Sequence, residues 1–162
     1  MRDDNQLSLG ESLIFERYKH LIARQDHLDS LVSSNVATAI KVTTALCTLF
    51  FVAISFFFKE MDKPDVRHLT LLIQFCSVTG GIFYLLISLQ TLANIFAWFG
   101  YRKDEVELLE LANTILKRDK PDPRNFLTWQ ETWFLFVTLT LACTSWVVWI
   151  RAAEFAVKLA GI

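Results

Sequence analysis

The sequence has few of the residues from which catalytic and metal sites are built. It contains five glycines, three histidines and three cysteines in 162 residues. It has no glycine-rich phosphate loop, no nucleophile elbow and no metal-ligand spacing of histidine, cysteine and carboxylate. No pair of carboxylates lies within its long apolar runs. We therefore expect no catalytic residues, no metal and no cofactor, and an enzyme is the least favoured class.

Cysteine placement and charge balance exclude two further classes. Cys47, Cys76 and Cys143 all lie inside apolar runs, which is not typical of a disulfide framework or a zinc site. We expect them to be small buried hydrophobic residues. The net charge is −1, so the chain has no global basic field and no nucleic-acid partner is expected.

Hydrophobic residues are in excess, at 53% of the chain with a mean hydropathy of +0.36. A single small core cannot hide that much apolar side chain. Three runs, 42–58, 69–101 and 132–150, contain no charged residue, and about 20 helical residues cross a hydrocarbon core of ~30 Å. The sequence predicts an all-α integral membrane protein with three transmembrane helices, cytoplasmic amphipathic or coiled-coil extensions and the lipid bilayer as its surroundings.

The charge and hydropathy pattern divides the chain into seven segments. They are a cytoplasmic N-terminal helix (1–35), a first span (36–58), an external loop (59–68), a long second span (69–101), a cytoplasmic helix with a proline-containing connector (102–131), a third span (132–150) and an external or interfacial tail (151–162). As one helix the second run would be about 50 Å long. It therefore either breaks near Gly80 and Gly81 or protrudes into water, and protrusion is favoured because a charged helical pattern follows.

Flanking charges predict the orientation. Eleven lysines and arginines lie in the N-terminal segment through Lys41 or between the second and third spans, against five in the first loop and the tail. The larger set is Arg2, Arg17, Lys19, Arg24, Lys41, Arg102, Lys103, Lys117, Arg118, Lys120 and Arg124; the smaller is Lys59, Lys63, Arg67, Arg151 and Lys158. The positive-inside rule then predicts an inner-membrane protein with a cytoplasmic N-terminus.

Two polar stripes with helical spacing run along the first two spans. They are Lys41, Thr44, Thr48 and Ser55 in the first, and Gln74, Ser77, Gly81 and Ser88 in the second. Small and hydroxylated residues of this kind allow close helix packing in lipid, and the alternative is that they line a pore. Lys41 has two interpretations of its own. Its ammonium extends to the headgroups from the end of the span, or it is a charge buried in the membrane with a functional role.

Both predicted cytoplasmic helices carry an apolar stripe. In the first, Ile14, Tyr18, Leu21, Leu28 and Val32 follow coiled-coil spacing, which predicts an oligomer seam and a homo-oligomer. In the second, residues 104–117 place leucines on one side and Glu105, Glu107 and Glu110 elsewhere. These helices are also candidates for binding a soluble cytoplasmic partner protein.

The tail carries Arg151, Glu154 and Lys158 at spacings of three and four. If the third helix continues, these side chains share a face and can pair. They then form either an interfacial end cap or, for Arg151 and Glu154, the outer mouth of a pore that sets ion preference.

The layout of the first two spans resembles a known family. A charged helix (ESLIFERYKHLIARQDHLDSL) leads into the first span, and a second span containing ISLQTLANIF continues into the charged helix YRKDEVELLELANTIL. This layout resembles the two-transmembrane SLATT effector domains of bacterial anti-phage signalling systems. It covers about the first 118 residues, and the third span departs from it. The resemblance implies an oligomeric membrane effector that forms pores or disrupts the bilayer when an associated sensor fires, without active-site residues.

Two functions are consistent with these patterns. The first is an oligomeric membrane effector or channel-like subunit of an antiviral defence or stress system, which changes membrane integrity or ion permeability. The second is a non-conducting membrane anchor or sensor subunit whose cytoplasmic helices recruit a soluble protein.

Overall fold

The described part of the chain is almost entirely helical. A computed structural model describes residues 9–60, 65–111, 119, 121–122, 124 and 129–161. These residues form α1 (Leu9–Glu60), α2 (Val66–Leu111), α3 (Gln130–Ile150) and α4 (Ala152–Ala160), with no strand among them. The first three helices are long and apolar enough to cross a membrane. An all-helical fold with three candidate spans, as expected from the sequence, is therefore confirmed.

The first two helices extend well beyond their apolar runs. α1 has 52 residues and α2 has 46, which corresponds to about 78 Å and 69 Å. α2 passes through Gly80 and Gly81 unbroken and continues to Leu111, beyond the end of the apolar run at residue 101. Residues 112–117 of the charged helical pattern lie outside the described residues. All three prolines fall outside the four helices, whose backbone hydrogen bonds are thus uninterrupted by proline.

α2 is the central helix, and it packs antiparallel to α1 and to α3. The Thr43 and Tyr84 hydroxyls, 2.7 Å apart, connect α1 with α2. The Ser88 hydroxyl donates to Thr138 Oγ1 of α3 at 2.8 Å. We call the end of the bundle with the α1–α2 connection and α4 the loop end, and the opposite end, where α2 reaches Leu111, the charged end.

A small apolar cluster closes the loop end. The helical path stops at Arg151 (φ −96°, ψ 15°) and resumes as α4, which places Ala152 and Ala156 in full burial against Leu69 and Ile73 of α2. Alanines at this spacing let α4 lie close to α2 because they present no bulky side chain.

The turn at Arg151 changes the expected arrangement of the tail. Arg151, Glu154 and Lys158 are all exposed, and within the described part of the chain no ion pair joins them. The third helix does not continue unbroken through the tail, so the condition set for this pairing is not met, because the chain bends to bury the alanines of α4. Gly161 ends α4 in the left-handed conformation (φ 73°), as is common after a helix C-terminus.

An aspartate marks the start of α2. The Arg67 backbone N–H donates to Asp65 Oδ1 at 2.9 Å, and His68 Nδ1 lies 2.7 Å from Asp65 Oδ2. The hydrogen bond from the Arg67 backbone, together with that from His68, holds the pKa of the Asp65 carboxyl below its ordinary value. Asp65 is thus an N-cap that satisfies one of the free N–H groups of the first turn.

The cysteines differ from expectation. Cys47 and Cys143 are exposed on the outside of the bundle and Cys76 is half-buried. The expectation of three buried residues was wrong because it assumed that apolar side chains need a protein interior. In a bilayer, lipid provides the apolar surroundings instead.

Candidate functional site: the outward polar face of α1

The polar stripe of α1 points away from the rest of the chain. Lys41, Thr44, Thr48 and Ser55 are all exposed, whereas Thr43, next to them in sequence, contacts α2. None of the most apolar window of α1 is buried within the chain. The stripe therefore faces lipid, water or another protein.

The structure extends this stripe beyond the residues that the sequence indicated. Ser30, Ser34 and Ala37 continue it toward the charged end at the same alternation of four and three, and all three are exposed. The charge pattern of the sequence assigned most of this region to the water-facing extension, although the periodicity of the stripe is present there too. We define the outward polar face as Ser30, Ser34, Ala37, Lys41, Thr44, Thr48 and Ser55.

Three hydroxyl groups on this face, those of Ser30, Thr44 and Thr48, are satisfied within α1. Ser30 Oγ donates to the His27 carbonyl at 2.7 Å, and Thr44 Oγ1 donates to the Ile40 carbonyl at 2.9 Å. Hydroxyls bonded to their own helix tolerate lipid, so they do not by themselves require water or a partner. Lys41 is different, because no carboxylate in the described residues lies within ion-pair distance of its ammonium.

The depth of Lys41 follows from the third span. α3 is bounded by Glu131 near its start and by Arg151 just after its end, with no charged residue between them. The 21 residues of α3 are about 31 Å long, close to the ~30 Å hydrocarbon core of a bilayer. The midplane of such a bilayer therefore crosses α3 within a turn of Thr138.

Two hydrogen bonds show which residues of α1 lie at the same height in the bundle as Thr138. Thr138 is bonded to Ser88 of α2, and Tyr84, one turn away on α2, is bonded to Thr43 of α1. Lys41 precedes Thr43 by two residues. The packing thus places Lys41 within about one helical turn, 5.4 Å, of the midplane defined by α3.

The apolar run of α1 alone suggests a different depth. Residues 42–58 place Lys41 at the edge of the bilayer, where its ammonium reaches the headgroups. We favour the depth set by α3, because both ends of α3 are bounded by charge and its contacts fix the register. From the midplane the headgroup boundary is about 15 Å away, which is too far for the four-carbon stem of a lysine.

The second stripe lies inside the bundle. Ser77, Gly81 and Ser88 are buried and Gln74 is half-buried. A Cβ atom at Gly81 would lie 3.4 Å from Ser145 Cβ of α3. Within a single chain this stripe is the surface on which α2 packs against α3, and it does not adjoin the outward polar face.

The predicted oligomer seam has a partner within the chain. Leu21, Leu28 and Val32 are buried, while Ile14 and Tyr18 are half-buried. Gln25, on the same stretch of α1, donates to Glu105 of α2 at 3.2 Å. The central part of the seam therefore packs against the extension of α2, whereas the outward polar face of α1 stays exposed.

The fold and this surface indicate an all-helical, multi-pass membrane protein. No family model, curated protein or solved structure matches the chain.

Proposed function

We propose that the chain is a subunit of a homo-oligomeric, channel-like membrane effector whose outward polar face lines or borders a conduction path. One observation carries this proposal: Lys41 is exposed, has no ion-pair partner in the described residues and lies near mid-depth of the span defined by α3. An isolated lysine at that depth costs about 3 kcal/mol or more in lipid. Contact with water in an oligomer removes most of that cost.

The cellular setting belongs to the same proposal. The SLATT-like layout supports an effector in a bacterial anti-phage system, located in the inner membrane and triggered by a separate sensor. The charge bias supports an N-terminus, and hence a charged end, in the cytoplasm. A membrane-impermeant thiol reagent added outside intact cells should then label Arg67→Cys at the loop end but not Asp104→Cys at the charged end.

Cysteine accessibility in a conducting sample tests the pore directly. Thr44 and Thr140 are matched: each is exposed and each hydroxyl donates to a carbonyl one turn earlier, at 2.9 and 2.8 Å. With the native cysteines replaced, a charged thiol reagent should block most of the current through Thr44→Cys channels and leave Thr140→Cys channels unchanged. Only Thr44 lies on the outward polar face, so only it should meet permeating water.

Ion preference provides the second readout of this experiment. A ring of Lys41 ammonium groups favours anions, so Lys41→Glu should shift the reversal potential toward cation selectivity. Equal block at positions 44 and 140, or a reversal potential unaffected by Lys41→Glu, would count against pore lining by this face.

An anchor function is the second candidate, and one surface favours it. Leu13 and Phe15, on the extension of α1 at the charged end, are 63% and 56% exposed. Exposed apolar side chains in a water-facing extension are typical of a protein-binding surface. A chain with this function alone would show no current in any assembly, and Leu13→Ser with Phe15→Ser would abolish recruitment of the partner.

A further inference from the structure

A crevice at the charged end lies between α1, α2 and the start of α3. Its volume is about 330 Å³, and residues of all three helices line it. Glu131 and Trp129, at the start of α3, form part of the lining, so the crevice lies where α3 enters the bilayer. A ligand there would be in the headgroup region, accessible from water and from lipid.

Two tryptophans form one wall. The Trp98 and Trp129 rings have centroids 4.6 Å apart with an interplanar angle of 65°, and both line the crevice. Tryptophan presents the most favourable aromatic face for a cation. As belt residues alone they would simply lie at the interface, so the other lining groups decide between these roles.

Two carboxylates supply negative charge to the same crevice. Asp29 of α1 and Glu131 of α3 both line it, and neither has an ion-pair partner in the described part of the chain. Among the residues that the structure describes, no lysine or arginine lines it. The carboxylate of Glu131 also interacts favourably with the positive N-terminal end of the α3 dipole. Asp29 has no such role. Because both carboxylates line the same crevice, the crevice favours a cation.

A half-buried amide adds a hydrogen-bond donor. Asn94 lines the crevice, and its side-chain nitrogen is shielded from solvent without a hydrogen-bond partner in the described residues. An orphan donor of this kind is costly unless something accepts its hydrogen bond. An oxygen next to a bound amine would do so.

We propose that this crevice binds an ammonium group with a neighbouring oxygen, as in ethanolamine or choline. The cation lies against Trp98 and Trp129 and near the carboxylates of Asp29 and Glu131, while Asn94 donates to the oxygen. The same chemistry is present in a free amino alcohol and in the headgroup of phosphatidylethanolamine. The inference does not depend on conduction.

Ligand binding to the full-length protein tests the proposal, with separate measurements for the two sources. To test free ammonium compounds, choline and ethanolamine are titrated into protein in phosphatidylglycerol nanodiscs while tryptophan fluorescence is recorded. The uncharged isostere of choline, 3,3-dimethylbutan-1-ol, is the ligand control. For lipid, native mass spectrometry compares retention of phosphatidylethanolamine with that of phosphatidylglycerol.

The variants distinguish the effect of the crevice carboxylates on binding from the effect of surface charge in general. Asp29→Asn combined with Glu131→Gln keeps the shape of both side chains and should weaken amine binding, or phosphatidylethanolamine retention, about tenfold or more. Asp104→Asn, an exposed carboxylate outside the crevice, should change neither. Circular dichroism verifies that the helices remain intact.

The outcomes are distinct. Preferred binding of choline or ethanolamine over the isostere, removed by the double variant, supports the site with a free ammonium compound as its ligand. Preferred retention of phosphatidylethanolamine over phosphatidylglycerol, removed by the same variant, supports the site with a lipid headgroup as its ligand. The proposal is overturned if the wild-type protein shows neither preference, or if Asp104→Asn weakens binding as much as the double variant does.

Discussion

At the scale of single residues, Glu105 is the least expected feature. The amphipathic pattern placed it on the polar side of a charged helix, yet it is 0% exposed in the structure. Arg102 Nη1 donates to Glu105 Oε2 at 2.9 Å, and Gln25 of α1 donates to the same oxygen at 3.2 Å. A buried carboxylate is tolerated only when it is paired and hydrogen-bonded, so this group connects α1 to the α2 extension.

Removing that carboxylate should loosen the charged end. Glu105→Ala leaves Arg102, whose side chain is only 16% exposed, without its partner, and should reduce the free energy of unfolding by about 3 kcal/mol. Unfolding in mild detergent, followed by circular dichroism, measures the change.

The neighbouring Glu107 provides the control. It is exposed, and its oxygen lies 3.9 Å from Lys103 Nζ, so Glu107→Ala should cost less than about 1 kcal/mol. Similar losses for the two variants would contradict a structural role for the buried carboxylate.

At the scale of helices, the close packing of α2 on α3 depends on a glycine. Gly81 is buried, and a Cβ atom there would meet Ser145 Cβ and Trp146 Nε1, each at 3.4 Å. The sequence left open whether Gly80 and Gly81 break the helix. The structure shows instead a continuous helix in which small residues allow close approach to α3, because lipid provides no hydrophobic force to push bulkier surfaces together.

A large side chain at Gly81 should separate these helices. In a background without native cysteines, oxidation should cross-link Ser88→Cys to Thr138→Cys, whose hydroxyls are 2.8 Å apart in the native chain. We expect Gly81→Leu to abolish most of the cross-link, because leucine cannot fit where Ser145 and Trp146 already approach.

Gly100→Leu is the matched control, since a Cβ at Gly100 meets nothing within 4 Å. It should leave the cross-link intact. Full cross-linking in the Gly81→Leu protein would show that α3 can shift without leaving α2.

At the scale of the whole molecule, the stripes along α1 and α2 differ in what covers them. The stripe of α2 is covered by α3, and the seam of α1 is largely covered by the extension of α2. The outward polar face of α1 is covered by neither. In a bilayer, small residues on such a face favour association with another helix, which supports the proposed homo-oligomer.

Cross-linking between chains tests this assembly. In the cysteine-free background, Ser34→Cys on the outward polar face should form disulfide-linked dimers in native membranes under oxidising conditions. Ser77→Cys, which is only 9% exposed in the bundle, should not. Monomers at both positions would argue against assembly through α1, and dimers at both would indicate random collision or an opened bundle.

The sequence by itself determined the helical class and the presence of three candidate spans. The third span was predicted at 132–150, and α3 extends from Gln130 to Ile150. Each of these properties depends on residues near one another in the chain: a helix forms through local hydrogen bonds, and a span requires only enough consecutive apolar residues. Hydropathy and charge summed over neighbouring residues are therefore sufficient to predict these properties.

Only the tertiary structure decided which polar residues lie inside the bundle and which outside, and which level of α3 lies opposite Lys41. These depend on register, which contacts such as that between Thr43 and Tyr84, 41 positions apart, establish. The burial of Glu105 and the crevice beside Trp98 likewise need residues from separate helices. Hydropathy along one helix contains no information on the axial position of its neighbour. An apolar helix can lie at many axial positions in lipid, and only side-chain packing between helices selects one of them.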